Sequence, residues 1–215
     1  AVGASHLTAP GKAENVHALT GEEVRTVIHK FVKAAERAKQ AGVDGVEIHG
    51  AHGYLLAQFL SKGVNKRVDE YGGSVTNRAR IVCEMICAVK AACGNDFPVC
   101  VRTSGEEGFH GGNSIEDAAA QAMLFEAAGA DAVHISCGDP IQPYYTKTAF
   151  NMENVKKVKS VLGIPVIGVG RINDPSQAAG VLASGSADFV ALGRQSICDP
   201  HFPVKVREGR LKELY

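Results

Sequence analysis

The sequence predicts an α/β fold built on a parallel sheet, and three observations support this class. Capped helices with apolar residues at helical spacing alternate with short apolar runs. The runs are continuous, as in strands that are covered on both faces. The 215 residues are enough for one sizeable core and too few for two full domains, so we expect residues 1–215 to form a single domain.

The first helix and strand have the clearest local signals. Residues 1–18 show no regular pattern and are expected to be irregular. Thr20-Gly21-Glu22-Glu23 is a capping box, and the helix that it opens is expected to end at Gly42, a typical C-terminal glycine. The apolar run at 43–48 then predicts a buried strand.

The same unit recurs along the rest of the chain, and Asp174-Pro175 marks one helix start as an N-cap followed by proline. The predicted elements are a helix at 76–93, a strand at 98–103, a helix at 114–128, a strand at 131–136, a helix at 151–162, a strand at 165–169, a helix at 174–183, a strand at 188–192 and a short helix after Pro203. Five strands fit either an open doubly wound sheet or a (β/α)8 barrel that lacks its first strands. The pattern alone does not decide between them.

The charge balance argues against two classes of partner. Lys plus Arg and Asp plus Glu number 23 each, so no net field favours nucleic acid or an anionic membrane. No stretch approaches the roughly 18 apolar residues of a membrane helix. Residues 1–14 lack the basic and apolar regions of a secretory signal.

The six cysteines contain no CxxC pair. We expect buried free thiols in a reducing, cytoplasmic environment and no metal or iron–sulfur site built from them.

Polar residues follow every predicted strand at its carboxyl end, where ligands bind in both parallel architectures. The clusters are His49 with His52, Arg102 with Ser104, residues 136–139, Gly170 with Arg171, and Gly193 with Arg194. The two Gly-Arg pairs offer open backbone N–H groups and an arginine, which favours a phosphate site. The alternative is a pair of tight turns with solvated arginines.

His49 and His52 have several interpretations. They could ligate a metal, donate hydrogen bonds to a substrate oxygen, act as acid and base, or only hold the loop. Tyr54, two residues on, could deliver a proton or simply pack. Arg102, at the end of a buried strand, could pair with Glu47 on the preceding strand or stabilise an anionic cofactor ring. The polar loop from Asn65 to Gly73 is expected to cover or frame the site.

The segment from Gly42 to Leu56, with Gln58 to Ser61 and Asn65 to Arg78, resembles the old yellow enzyme family of NADH:flavin oxidoreductases. The similarity runs from about residue 20 to residue 209, and it is most specific between Asp44 and Arg78. The resemblance implies a (β/α)8 barrel that binds FMN, which favours the barrel alternative. It also implies that three further barrel strands precede the position of Ala1, so the chain would contain about five βα units.

The resemblance also implies site roles. His49 and His52 match the pair that hydrogen-bonds the carbonyl oxygen of an unsaturated substrate, and many family members have asparagine at the second position. Tyr54 matches the proposed proton donor to the α-carbon, and Arg102 matches the arginine beside the flavin N1 and O2 edge. The residues that match the phosphate-binding loops are Gly170, Arg171, Gly193 and Arg194.

The implied reaction is ene-reduction: NADH or NADPH reduces FMN, and the flavin passes a hydride to the β-carbon of an enone or related small molecule. A second hypothesis is a catalytically silent fragment or phosphate-binding module that needs a partner chain. A third, a non-flavin barrel enzyme, is disfavoured by the match from Asp44 to Arg78. Because an open set of five strands has exposed edges, association such as a homo-oligomer is also expected.

Overall fold

The computed structural model describes residues 1–6, 16–138 and 147–215. Its strands are β1 (Val2–Gly3), β2 (His17–Ala18), β3 (Val46–Gly50), β4 (Val99–Ser104), β5 (Ala132–Ser136), β6 (Val166–Gly168) and β7 (Phe189–Val190). The last five form one sheet in the order β3-β4-β5-β6-β7, and every pair is parallel. This confirms the predicted α/β class and the five strands in sequence order.

The helices lie before β3 and after each strand of the sheet. They are α1 (Gly21–Gln40), α2 (Leu55–Leu60), α3 (Val75–Cys93), α4 (Ile115–Ala127), α5 (Met152–Lys159), α6 (Pro175–Ala183), α7 (Arg194–Cys198) and α8 (Phe202–Arg207), with a 3₁₀ turn at Leu211–Glu213. The sequence predicted all of these helices except α2 and α7. Both are short and lack a side-chain cap, so neither periodicity nor a start signal reveals them.

Three helices begin at the residues that the sequence indicated. The Thr20 and Ser114 side chains both form capping boxes, with Glu23 and Asp117 as the reciprocal partners. The Asp174 carboxylate accepts hydrogen bonds from the backbone N–H groups of the first turn of α6, and Pro175 is the first residue of that helix. These contacts are local, which explains why they can be predicted from sequence.

One face of the sheet packs against helices, and the opposite face is polar across β3, β4 and β5. In β4 the buried residues Val99 and Val101 belong to the apolar core, and Cys100 and Arg102 point to the other side. Register places the polar residues of neighbouring strands side by side. The polar face consists of Glu47, His49, Cys100, Arg102, Ser104, His134 and Ser136. The strands are therefore less uniformly apolar than we expected from sequence.

The predicted irregular start of the chain contains a short parallel pairing of β1 with β2; residues 7–15 lie outside the described residues. The loop from Asn65 to Gly73 holds this N-terminal segment. Arg67 donates hydrogen bonds to the carbonyl oxygens of Ala4 and Leu19 at 2.9 and 2.5 Å. The structure therefore gives the loop an anchoring role, and its role of covering or framing the site stays a prediction.

The cysteine prediction is partly corrected. Cys83, Cys87, Cys93, Cys100 and Cys198 are free thiols; only Cys93 is buried, and Cys87 and Cys198 are exposed. Within the described ranges, no helix combines the length and apolar character needed to span a bilayer.

Candidate functional site

His49, His52 and Tyr54 form a cluster of rings at the carboxyl end of β3. The ring centroids of His49 and His52 are 5.2 Å apart, and those of His49 and Tyr54 are 5.6 Å apart. Tyr54 immediately precedes α2 and is 62% exposed, so its ring is open to solvent. His52 has a left-handed backbone conformation with φ of 63°. The chain turns at His52 and Gly53, between β3 and α2, and the three rings lie close together around this turn.

His52 is connected to Arg102 through Ser136. The His52 Nε2 atom lies 2.7 Å from Ser136 Oγ, and Arg102 Nη2 donates to the same oxygen at 3.4 Å. His52 follows β3, Arg102 lies in β4 and Ser136 ends β5, so three neighbouring strands supply one polar chain. The cluster predicted at residues 136–139 contributes Ser136; Asp139 lies outside the described residues.

The Nε atom of Arg102 is buried and has no hydrogen-bond partner among the described residues. The alternative partner from sequence, Glu47, is instead occupied by His134, whose Nδ1 lies 2.9 Å from the Glu47 carboxylate. The Glu47–Arg102 ion pair is therefore wrong as an account of Arg102. A buried donor without an acceptor is costly, which makes this atom a candidate contact for a bound group.

The environment of the histidines keeps them neutral. Burial and the positive charge of Arg102 lower the pKa of His52 to about 4, and the neighbouring His49 adds to this effect. The same two causes lower the pKa of His49. Burial alone would raise the pKa of Glu47, but the hydrogen bond and charge of His134, with smaller contributions from Cys100 and Arg102, together outweigh it and the pKa is lowered. At neutral pH the histidine pair therefore offers neutral hydrogen-bonding groups.

The Gly-Arg loops meet at a separate cavity of about 280 Å³ at the carboxyl ends of β6 and β7. Arg171, Gly193 and Arg194 line it, so the structure brings three of the four predicted residues together. Arg171 adopts φ of 54°, a conformation that turns the loop sharply after β6. Gly170 is packed behind this loop: a Cβ atom there would lie 2.9 Å from Asn151 Cβ.

Comparison with known proteins identifies the family. The family model of NADH:flavin oxidoreductase / NADH oxidase matches residues 1–213. The chain belongs to this family. An NADH oxidase of Thermoanaerobacter brockii is 43% identical over an alignment of 202 residues that covers 91% of this chain and 31% of that protein. A cinnamate reductase of Clostridium sporogenes is 38% identical over 217 residues, covering 91% of this chain and 33% of that protein.

A solved structure supports the same assignment. The chain superimposes on a 2-naphthoyl-CoA reductase, solved with 2-naphthoyl-CoA, with a TM-score of 0.94 at 32% identity, covering 99% of this chain and 34% of that chain. The chain thus spans about a third of the length of these three proteins. This confirms the prediction that the chain is part of a (β/α)8 barrel fold and contains about five βα units. The family uses FMN with NADH or NADPH, which are the cofactors that the resemblance implied.

The residues present fit the flavin of this family. Arg102 supplies a buried donor that lacks an acceptor, and the cavity lined by Arg171 and Arg194 supplies positive charge. The two features lie at the carboxyl edge of the same parallel sheet, as ligand sites of barrel enzymes do.

Sequence reasoning missed two residues near this site. His134 is buried on the polar face, and its Nε2 atom, like Arg102 Nε, is buried and has no partner within the described ranges. The sequence feature that could have indicated His134 is a histidine within an otherwise apolar predicted strand. Asn151 donates to the carbonyl oxygens of Ile135 and Val169 at 3.0 and 3.1 Å, which ties β5 to the first Gly-Arg loop. The sequence indicated Asn151 only as a helix start.

Proposed function

We propose that this chain carries the flavin and substrate site of an ene-reductase, which passes a hydride from NADH or NADPH through FMN to an α,β-unsaturated carbonyl compound. The observation that carries the proposal is the unpartnered Nε of Arg102, buried next to a neutral histidine pair. Bound FMN would supply the hydride chemistry. The names of two relatives, a cinnamate reductase and a 2-naphthoyl-CoA reductase, also support an unsaturated substrate.

The chain's own residues would orient and polarise the substrate. We assign His49 and His52 as donors to its carbonyl oxygen, where negative charge develops when a hydride reaches the β-carbon. Neutral imidazoles suit this role because they donate a hydrogen bond without transferring the proton. The lowered pKa values of both histidines therefore support donation over acid catalysis.

Tyr54 would add the proton that completes the reduction at the α-carbon. Its ring lies 5.6 Å from that of His49, so its hydroxyl group belongs to the same cluster. Because Tyr54 is 62% exposed, solvent can return the proton after each turnover. The hydride and this proton together account for the two hydrogens gained by the double bond.

The remaining predicted residues would hold FMN. Arg102 would place positive charge beside the flavin ring, and the cavity after β6 and β7 would hold the phosphate. There Arg171 and Arg194 supply charge, and Gly193 leaves the backbone accessible, since no atom lies within 4 Å of a Cβ at that position. Gly170 would keep the first loop close to Asn151.

A test starts from flavin binding. Protein incubated with FMN and passed through gel filtration should retain flavin absorbance, lose it anaerobically with NADH or NADPH, and regain it on addition of an enone. His49→Ala should retain FMN and bind a phenolate or enone about tenfold more weakly, since one hydrogen bond is lost. His29→Ala, an exposed histidine of α1, is the matched control. Unchanged phenolate affinity in His49→Ala would refute the assigned role.

A second candidate is a phosphate- or nucleotide-binding module that works with a partner chain. The separate cavity at the Gly-Arg loops favours it, because this cavity does not depend on the histidine pair. Protein that binds FMN but is not reduced by either nicotinamide cofactor would support this candidate over the ene-reductase.

A further inference from the structure

Ser136 occupies a position between two groups of the proposed site. It is 4% exposed at the end of β5. Its hydroxyl oxygen lies 2.7 Å from His52 Nε2 and 3.4 Å from Arg102 Nη2. These are its side-chain hydrogen bonds within the described part of the chain.

The direction of these hydrogen bonds follows from the chemistry of the three groups. A guanidinium group can only donate, so the Ser136 oxygen accepts from Arg102. The Ser136 proton then needs an acceptor, and the atom within reach is His52 Nε2. If Nε2 instead carried the proton and donated to Ser136, the buried hydroxyl proton would be left without a partner. The lowered pKa of His52 agrees with a neutral ring that has one unprotonated nitrogen.

We propose that Ser136 is a positioning residue that fixes His52 as the Nδ1–H tautomer. Ser136 donates to Nε2, and Nδ1–H remains as the ring donor. Nδ1 has no hydrogen-bond partner in the described structure, so it is available to a ligand. The arrangement also links the ring to Arg102 through a single oxygen atom. Its consequence for catalysis rests on the proposed function, whereas the tautomer is a property of the chain itself.

Two variants separate this role from simple packing. Ser136→Ala removes the hydroxyl with little change in volume, and Ser136→Thr restores it. Ser104→Ala is the matched control, because Ser104 lies opposite Ser136 in the adjacent strand and its Oγ contacts the His52 backbone N–H at 3.5 Å. It therefore removes a neighbouring hydroxyl without touching the imidazole.

The test is the protonation pattern of the His52 ring, measured by long-range ¹H–¹⁵N correlation spectra near neutral pH and assigned with His52→Asn. Wild type, Ser136→Thr and Ser104→Ala should show a proton on Nδ1 and none on Nε2. Ser136→Ala should shift His52 toward the Nε2–H form, while thermal unfolding verifies that the variant is folded. A wild-type ring protonated at Nε2, or an unchanged tautomer in folded Ser136→Ala, overturns the proposal.

Ligand binding distinguishes this proposal from the function on which it rests. In FMN-loaded protein, Ser136→Ala should weaken phenolate binding up to about tenfold. If the tautomer responds as expected but the protein reduces no enone, the proposed function fails and the role of Ser136 stands. If enone reduction is present and the tautomer does not respond, Ser136 has no positioning role.

Discussion

The histidine region (His49, His52, Tyr54, Arg102 and Ser136) and the glycine–arginine region (Gly170, Arg171, Gly193 and Arg194) lie at the same edge of one sheet but are built differently. In the histidine region, side chains from three neighbouring strands contact one another, as in the link from His52 through Ser136 to Arg102. In the glycine–arginine region, the two glycines and the left-handed backbone of Arg171 shape the loops, and Arg171 and Arg194 line the cavity between them. Substitutions that shorten side chains should therefore weaken ligand binding in the histidine region. Substitutions that add atoms at the glycines should weaken FMN binding in the glycine–arginine region.

The largest effect is expected from Gly170→Ala. The new Cβ would lie 2.9 Å from Asn151 Cβ and 3.1 Å from the Asn151 backbone nitrogen, so the loop must shift. We expect a loss of about 1–3 kcal/mol in stability and no FMN retained after gel filtration. Gly180→Ala in α6 is the control: it meets no atom within 4 Å and should stabilise by about 0.5–1 kcal/mol. Retained FMN in Gly170→Ala would show that the loop tolerates side chains.

Arg102→Gln should lower the affinity for FMN without lowering the stability of the FMN-free protein. FMN affinity should fall about 10- to 100-fold, because a charged hydrogen bond is lost. The free protein should be equally or more stable, because a buried donor without an acceptor is removed. Fluorescence titration with FMN and urea unfolding of the FMN-free protein measure the two quantities. A large loss of stability in Arg102→Gln would show that Arg102 contributes more to the fold than its 3.4 Å hydrogen bond to Ser136.

Asp174→Ala acts on the glycine–arginine region alone. The Asp174 carboxylate accepts hydrogen bonds from Ser176 N and Gln177 N at 2.7 and 3.2 Å. Its loss should cost about 1 kcal/mol of stability and weaken FMN binding, because α6 follows the first Gly-Arg loop. The tautomer of His52 should remain unchanged. A change in that tautomer would show that the two regions are coupled.

A smaller effect concerns the pH dependence of the histidine region. The pKa of His52 is lowered from 6.5 to about 4, so the unfolded chain binds a proton between these values and the folded chain does not. Stability is therefore lost as the pH falls through this window. Wild type should lose more stability than His52→Asn between about pH 7 and pH 5 in urea unfolding. Equal losses would mean that His52 is not held neutral.

The sequence was sufficient to place most of the candidate site residues at one edge of the sheet but not to pair them. His49, Arg102, Gly170 and Gly193 were located because parallel strands present their carboxyl ends at one edge. The Glu47–His134 contact joins residues 87 positions apart and depends on register, which no local pattern encodes. Helix α2 has six residues, too few for a periodic signal.

The left-handed backbone at position 52 limits which donors this site could use. With φ of 63°, that position suits residues that tolerate the left-handed region, among which asparagine and histidine also donate hydrogen bonds. Glutamine would carry a suitable N–H group on an unfavourable backbone. Asparagine, which the resemblance implies for many family members at this position, also tolerates this conformation, so the backbone of the turn restricts which residues can act as donors here.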